Sequence, residues 1–198
     1  LSFDALAIPA VIIVSVAGVL LLVSMEWRLS IAVLAILYIG VFLLVSLSWP
    51  SERAVVKLVA GWMSGAVLGM ALIGLPDEAR QTIRMRTATS VFRLIVAGLV
   101  LLVAFSLAPK VTELIPDIST YQAYGGAILI GLGLLHLGLT AHPLRVTLGL
   151  LTVLGGFEIF YAAVEDSTLV TGLLAGVDLG LALLGAYLIS LPVLGETG

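Results

Sequence analysis

The sequence predicts an all-α integral membrane protein: seven transmembrane helices joined mostly by short loops, with the N-terminus outside and the C-terminus inside. Three observations carry that expectation. Of the 198 residues, 61% are hydrophobic and only 11% are charged, whereas about 25% are charged in an ordinary soluble domain. The mean hydropathy is +1.25. A soluble fold of this size has too little interior to hide that much apolar surface, so the bilayer must be the solvent for most of it. Finally, the apolar residues fall into seven runs of about the 20 residues that a helix needs to cross a bilayer.

In chain order the spans are read at 5–24, 29–48, 54–74, 89–108, 121–140, 145–164 and 168–190. The first lacks the charged flank and small-residue cleavage site of a signal peptide, so it is read as a span. "MEWR" (25–28) links the first pair, and "WPSER" (49–53) links the second, with Pro50 placed to start a helix. "HPLR" (142–145) and "VEDST" (164–168) link the last three. Links this short make neighbouring spans antiparallel. Two links are longer. "LPDEARQTIRMRTA" (75–88) is polar and basic and is expected to form a short surface helix. "PKVTELIPDIST" (109–120) carries two prolines and reads as a joint loop. It divides a four-helix part (1–108) from a three-helix part (121–198).

Orientation follows from Lys and Arg in short loops. With the N-terminus outside, Arg28, Arg80, Arg84, Arg86, Arg93 and Arg145 fall at the inner ends, and Arg53, Lys57 and Lys110 at the outer ends. Six against three favours N-out and C-in.

Several function classes drop out. The net charge of −3 carries no signature of nucleic-acid binding. With no cysteine, disulfides, cysteine-ligated iron–sulfur clusters and thiol chemistry are excluded. The sequence has no zinc motif, no Ser–His pair at one depth and no glycine-rich phosphate loop, so no catalytic residues, metal or cofactor are expected. His136, near the inner end of the fifth span, and His142, in the next link, are read as hydrogen-bonded or interfacial histidines, a cofactor ligand being the lesser alternative for His136.

Glycines mark helix contacts. Gly61, Gly65 and Gly69 sit four apart in the third span, as do Gly172, Gly176 and Gly180 in the seventh. Small residues at this spacing let backbones approach closely, so both rows are read as packing faces, the first pressed against another subunit.

Ionisable groups within spans cost roughly 2.5–3.5 kcal/mol each at the bilayer centre. Arg93 and Lys57 lie about one turn from span ends and have stems long enough to snorkel, although Lys57, just before the glycine row, is also a proton-path candidate. Glu158 and Asp178 cannot snorkel. Glu158 is about 9 Å and Asp178 about 15 Å from the outer end at 1.5 Å per residue. Asp178 is two residues from Gly176 and Gly180, hence about 200° around the helix from the glycine row. A carboxyl group withdrawn from water holds its proton more readily, which is why acid chains serve pumps and transporters. The alternative is that each acid hydrogen-bonds a Tyr or Thr and cements the bundle.

"HPLRVTLGLLTVLGGFEIFYAAV" (142–164) resembles the second helix of the small three-helix K subunit of complex I. That family includes the C subunit of Mrp-type cation/proton antiporters and the E subunit of hydrogenase-4-type complexes. The shared pattern is a short basic inner loop, then "GL", then a membrane Glu past mid-helix. "GVDLGLALLGAYLI" (176–189) resembles the third helix, where an acid precedes a "GLALL"-type stretch. Here that acid is Asp rather than the usual Glu of complex I, which is closer to the hydrogenase-4-type relatives. The resemblance covers residues 121–191. It implies a non-catalytic subunit of a proton- or cation-translocating complex in an energy-converting membrane, such as a prokaryotic plasma membrane. It also implies Glu158 and Asp178 in a proton path, and partners that are membrane lipid and antiporter-like membrane subunits. A structural accessory subunit of a respiratory or photosynthetic complex and a self-contained small transporter are the alternatives.

Overall fold

The computed structural model describes residues 3–75 and 90–195, and these are all-helical. The helices are α1 (Phe3–Val23), α2 (Trp27–Val45), α3 (Ser51–Ile73), α4 (Ser90–Leu114), α5 (Thr120–Gly138), α6 (Pro143–Val164) and α7 (Thr168–Gly195). Six of them are long and apolar enough to cross a membrane. The exception is α5, whose apolar run is diluted by Gln122, His136 and several glycines. The surface helix expected within 75–88 lies, apart from Leu75, outside the described residues.

Local chemistry accounts for the helix ends. Pro50 precedes α3 and its carbonyl accepts from Arg53 and Ala54. Pro143 opens α6, where its missing N–H has no helical partner to lose. Gln122 at the start of α5 reaches back to the Ser119 N–H, 3.0 Å away, the reciprocal half of a capping box.

The joint expected at 109–120 is mostly helix. α4 runs through Pro109 to Leu114. The lost backbone bond is outweighed by packing: Ala108 is buried with Ile118 and Ala123, and Val111 and Ile115 close over them. Only 115–119 remain as the link.

The expected four-plus-three division is also not a division of the core. α2 lies at the centre, against α1, α3, α5 and α6. One buried cluster runs through α1, α2, α3, α5, α6 and α7. α7 leans across onto α3 more extensively than onto its hairpin partner α6. α4 is the outermost helix. It packs on α5 and α1 and turns Phe92, Ile95, Leu99, Leu102 and Phe105 outward, as a lipid face should.

The closest helix pair is α5 with α6, and its seam is glycine. A Cβ at Gly156 would stand 2.8 Å from the Gly126 carbonyl oxygen, and one at Gly133 would stand 2.8 Å from the Val153 nitrogen. Only hydrogen fits where backbones come this near.

Candidate functional site

Four helices bring their costliest side chains to one place. Tyr38 of α2, Lys57 of α3, Glu158 of α6 and Asp178 of α7 are each 0% exposed. The Tyr38 hydroxyl donates to Asp178 Oδ1 at 2.7 Å. The Lys57 ammonium donates to Glu158 Oε1 at 2.5 Å. The two carboxyl groups adjoin, each within the other's electrostatic reach, and Lys57 acts on both. Glu158 Oε2 and Asp178 Oδ2 have no hydrogen-bond partner.

The surrounding residues explain why the helices meet in this register. Gly61 lies one turn beyond Lys57, and a Cβ there would collide with the Tyr38 ring. The ring therefore lies flat against the α3 backbone, and its hydroxyl reaches past α3 to α7. Gly65 and Gly69 face Ile31 and Leu34 of α2 at 3.8–3.9 Å. The Gly61–Gly69 row is thus taken up inside the chain, so it is not the partner-facing surface expected. The Gly172, Gly176 and Gly180 row has nothing within 4 Å among the described residues and stands open.

Lys57 does not snorkel. α7 covers it, and Glu158 supplies the counter-charge that makes burial tolerable. Arg93 does not snorkel either. It is 1% exposed and donates from Nη1 to the Leu22 carbonyl at the end of α1, 2.8 Å away. His136 is 2% exposed with Nε2 unpartnered, so the expected hydrogen bond is not made at that atom. For His142, in the link before α6, burial first and the Arg145 charge second hold the imidazole below its usual range.

Above the cluster lies a polar hollow of about 380 Å³, lined by Ser48, Trp49, Asp117, Ala162, Glu165 and Asp166 among others. Ala162 is four residues past Glu158, on the same face of α6 and one turn, about 5.4 Å, nearer the helix end. The rim is tied together: Trp49 Nε1 donates to the Glu165 carbonyl at 3.0 Å, and Arg53 pairs with Asp166. Trp49 also meets the Tyr161 ring edge-on at 6.1 Å. Below the rim, Gln122 bridges Leu44 and Ser48 of the α2 end to α5.

Sequence reasoning missed Tyr38 as a site residue. The available signal was a hydroxyl-tipped aromatic in mid-span, which must find a partner when buried. No group of acidic or histidine side chains among the described residues has the geometry of a metal site. Comparison with known protein families, with characterised proteins and with solved structures finds no match to this chain.

Proposed function

We propose that the chain is a non-catalytic membrane subunit of a multisubunit proton- or cation-translocating complex of the complex I, hydrogenase-4 or Mrp class. Glu158, Asp178 and Lys57 form part of its proton path, and Tyr38 holds Asp178 in place. The observation that carries this reading is the buried constellation itself: one ammonium, two adjoining carboxyl groups and a phenol, drawn from four helices. Intramembrane ionisable groups are costly and mark ion pathways by default. With one cation for two acids, electrical neutrality leaves one exchangeable proton on the carboxyl pair. The unpartnered Glu158 Oε2 and Asp178 Oδ2 are where that proton or a water would sit. In this reading water reaches the pair from the polar hollow one turn above Glu158.

In this reading the protein is N-out and C-in, and its home is an energy-converting membrane such as a prokaryotic plasma membrane. α5 also crosses the membrane, shielded by its neighbours, and completes seven spans. The partners are membrane lipid and large antiporter-like subunits, docked on the open glycine face of α7.

The test is gentle detergent extraction from the native membrane and identification of what co-purifies, followed by Glu158→Gln and Asp178→Asn in that complex. Stoichiometric antiporter-like subunits are expected. Each neutralised acid should lower proton translocation by about 10²-fold, the scale of a missing proton-transfer group. A chain that purifies alone would instead be a self-contained transporter.

One observation favours a second reading. All four groups are fully buried and each carboxyl group already has a partner. A fully buried cluster whose acids are each already held by a partner serves equally as a fastening in a structural accessory subunit. Translocation unchanged in both variants would select that role.

A further inference from the structure

The opposite end of the bundle holds a second charged cluster, and among the described residues no carboxylate pairs with it. Arg93 in the first turn of α4 and Arg145 in the first turn of α6 are 1% and 6% exposed. Both point at the end of α1: Arg93 Nη1 donates to the Leu22 carbonyl at 2.8 Å, and Arg145 Nη2 to the Ser24 carbonyl at 3.0 Å. His136, in the last turn of α5, is 2% exposed and feels both guanidinium charges, and His142 feels that of Arg145.

Among the described residues the ion pairs are Arg53 with Asp166 and Lys57 with Glu158, so neither buried arginine has a carboxylate. The carbonyl end of a helix offers about half a negative charge, against two full positive charges here. Holding such an excess out of water costs several kcal/mol per ion. The hydrogen bonding is also incomplete. Arg93 Nε, Arg145 Nη1, His136 Nε2 and His142 Nδ1 are buried and have no partner.

We propose that this cluster binds a phosphate-type anion, carried either by an anionic lipid headgroup or by free phosphate. Guanidinium forks match phosphate oxygens in geometry and charge, and the imidazoles add a donor or acceptor as the anion requires. The depth agrees, because Arg93, Arg145 and His136 all lie within one turn of their helix ends, at the level where headgroup phosphates sit. The site stands apart from the Glu158–Asp178 cluster and does not depend on the proton-path reading.

The test uses the full chain purified in a phosphate-free neutral detergent. Inorganic phosphate is titrated against chloride at equal ionic strength, with the melting midpoint as readout. In parallel the protein is reconstituted in phosphatidylcholine with and without phosphatidylglycerol, and retained phospholipid is measured by native mass spectrometry. A midpoint rise with phosphate alone identifies the free anion. Retention of one phosphatidylglycerol with no response to phosphate identifies the headgroup. In either case Arg145→Lys, which keeps the charge but loses the fork, should weaken binding about tenfold, and Arg53→Gln at the other end should leave it unchanged. A folded wild-type chain that responds to neither ligand overturns the proposal. So does Arg145→Lys binding as tightly as wild type. Should Arg145→Lys misfold, His142→Gln in the link makes the same comparison with a milder change, and undiminished binding in it overturns the proposal equally.

Discussion

At the scale of single residues, burial determines what an ion pair is worth. Lys57 and Glu158 are withdrawn from solvent, whereas Arg53 and Asp166 sit 33% and 65% exposed. Removing one partner of a buried pair strands the other charge and costs about 3–5 kcal/mol. An exposed pair contributes less than about 1 kcal/mol. Lys57→Met should therefore destabilise the protein by about 3–5 kcal/mol, and Arg53→Gln by under about 1, measured by denaturant unfolding in detergent. Combining Lys57→Met with Glu158→Gln should recover part of the loss, and a double-mutant cycle reads the coupling. Equal costs for Lys57→Met and Arg53→Gln would mean the buried pair is not coupled. Glu158 and Asp178 were legible in the sequence because short acids in apolar runs have no route to water. Lys57 and Arg93 were not, because a long stem allows both snorkelling and burial, and only the neighbours choose between them.

At the scale of helices, glycine has three different jobs here. On the α5–α6 seam it lets two backbones touch, at Gly61 it seats the Tyr38 ring, and on α7 it leaves a face open. The three classes should respond differently to a single methyl group. Gly133→Ala and Gly156→Ala push against backbone, which cannot rotate away, and should cost about 1–3 kcal/mol. Gly176→Ala meets nothing and should stabilise α7 by up to about 1 kcal/mol through helix propensity. Gly61→Ala should displace the Tyr38 ring and break its bond to Asp178, so it should cost more than Tyr38→Phe, which loses the bond but leaves the ring seated, and it should still cost stability in the Tyr38→Phe background. Thermal melting of the purified variants distinguishes the three cases, and a neutral Gly156→Ala would contradict the tight seam. The four-residue spacing of Gly61–Gly69 and Gly172–Gly180 was visible in sequence, but the spacing alone says only that a partner could approach. Which rows are filled depends on how each helix is rotated, and helices apolar on all sides do not encode their rotation in periodicity.

For the whole molecule, the joint read from two prolines is mainly a helical stretch, and the core crosses it. Tyr38 and Lys57 come from one side of that joint and Glu158 and Asp178 from the other. A fragment of residues 120–198 would expose Glu158 and Asp178 without their partners and leave the α3-facing side of α7 uncovered. It should fail to acquire the protease resistance of the full chain in the same detergent. A protected fragment would restore the back part as an independent unit.

The sequence by itself determined that this chain folds into helices, most of them long and apolar enough to cross a membrane, and in which order they come. Hydropathy and span length are sums over neighbouring residues, and link length constrains direction, so those features need no knowledge of distant contacts. It also marked Glu158 and Asp178, since the cost of a short acid in hydrocarbon is a local property. Only the tertiary structure decided that α7 crosses to α3, that Tyr38 and Lys57 complete the acid pair, and that two arginines gather at the other end without a carboxylate among the described residues. These are choices of helix rotation and neighbour, set by where a ring finds a glycine and a charge finds its counter-charge, and both partners lie too far apart in the chain for any local pattern to join them.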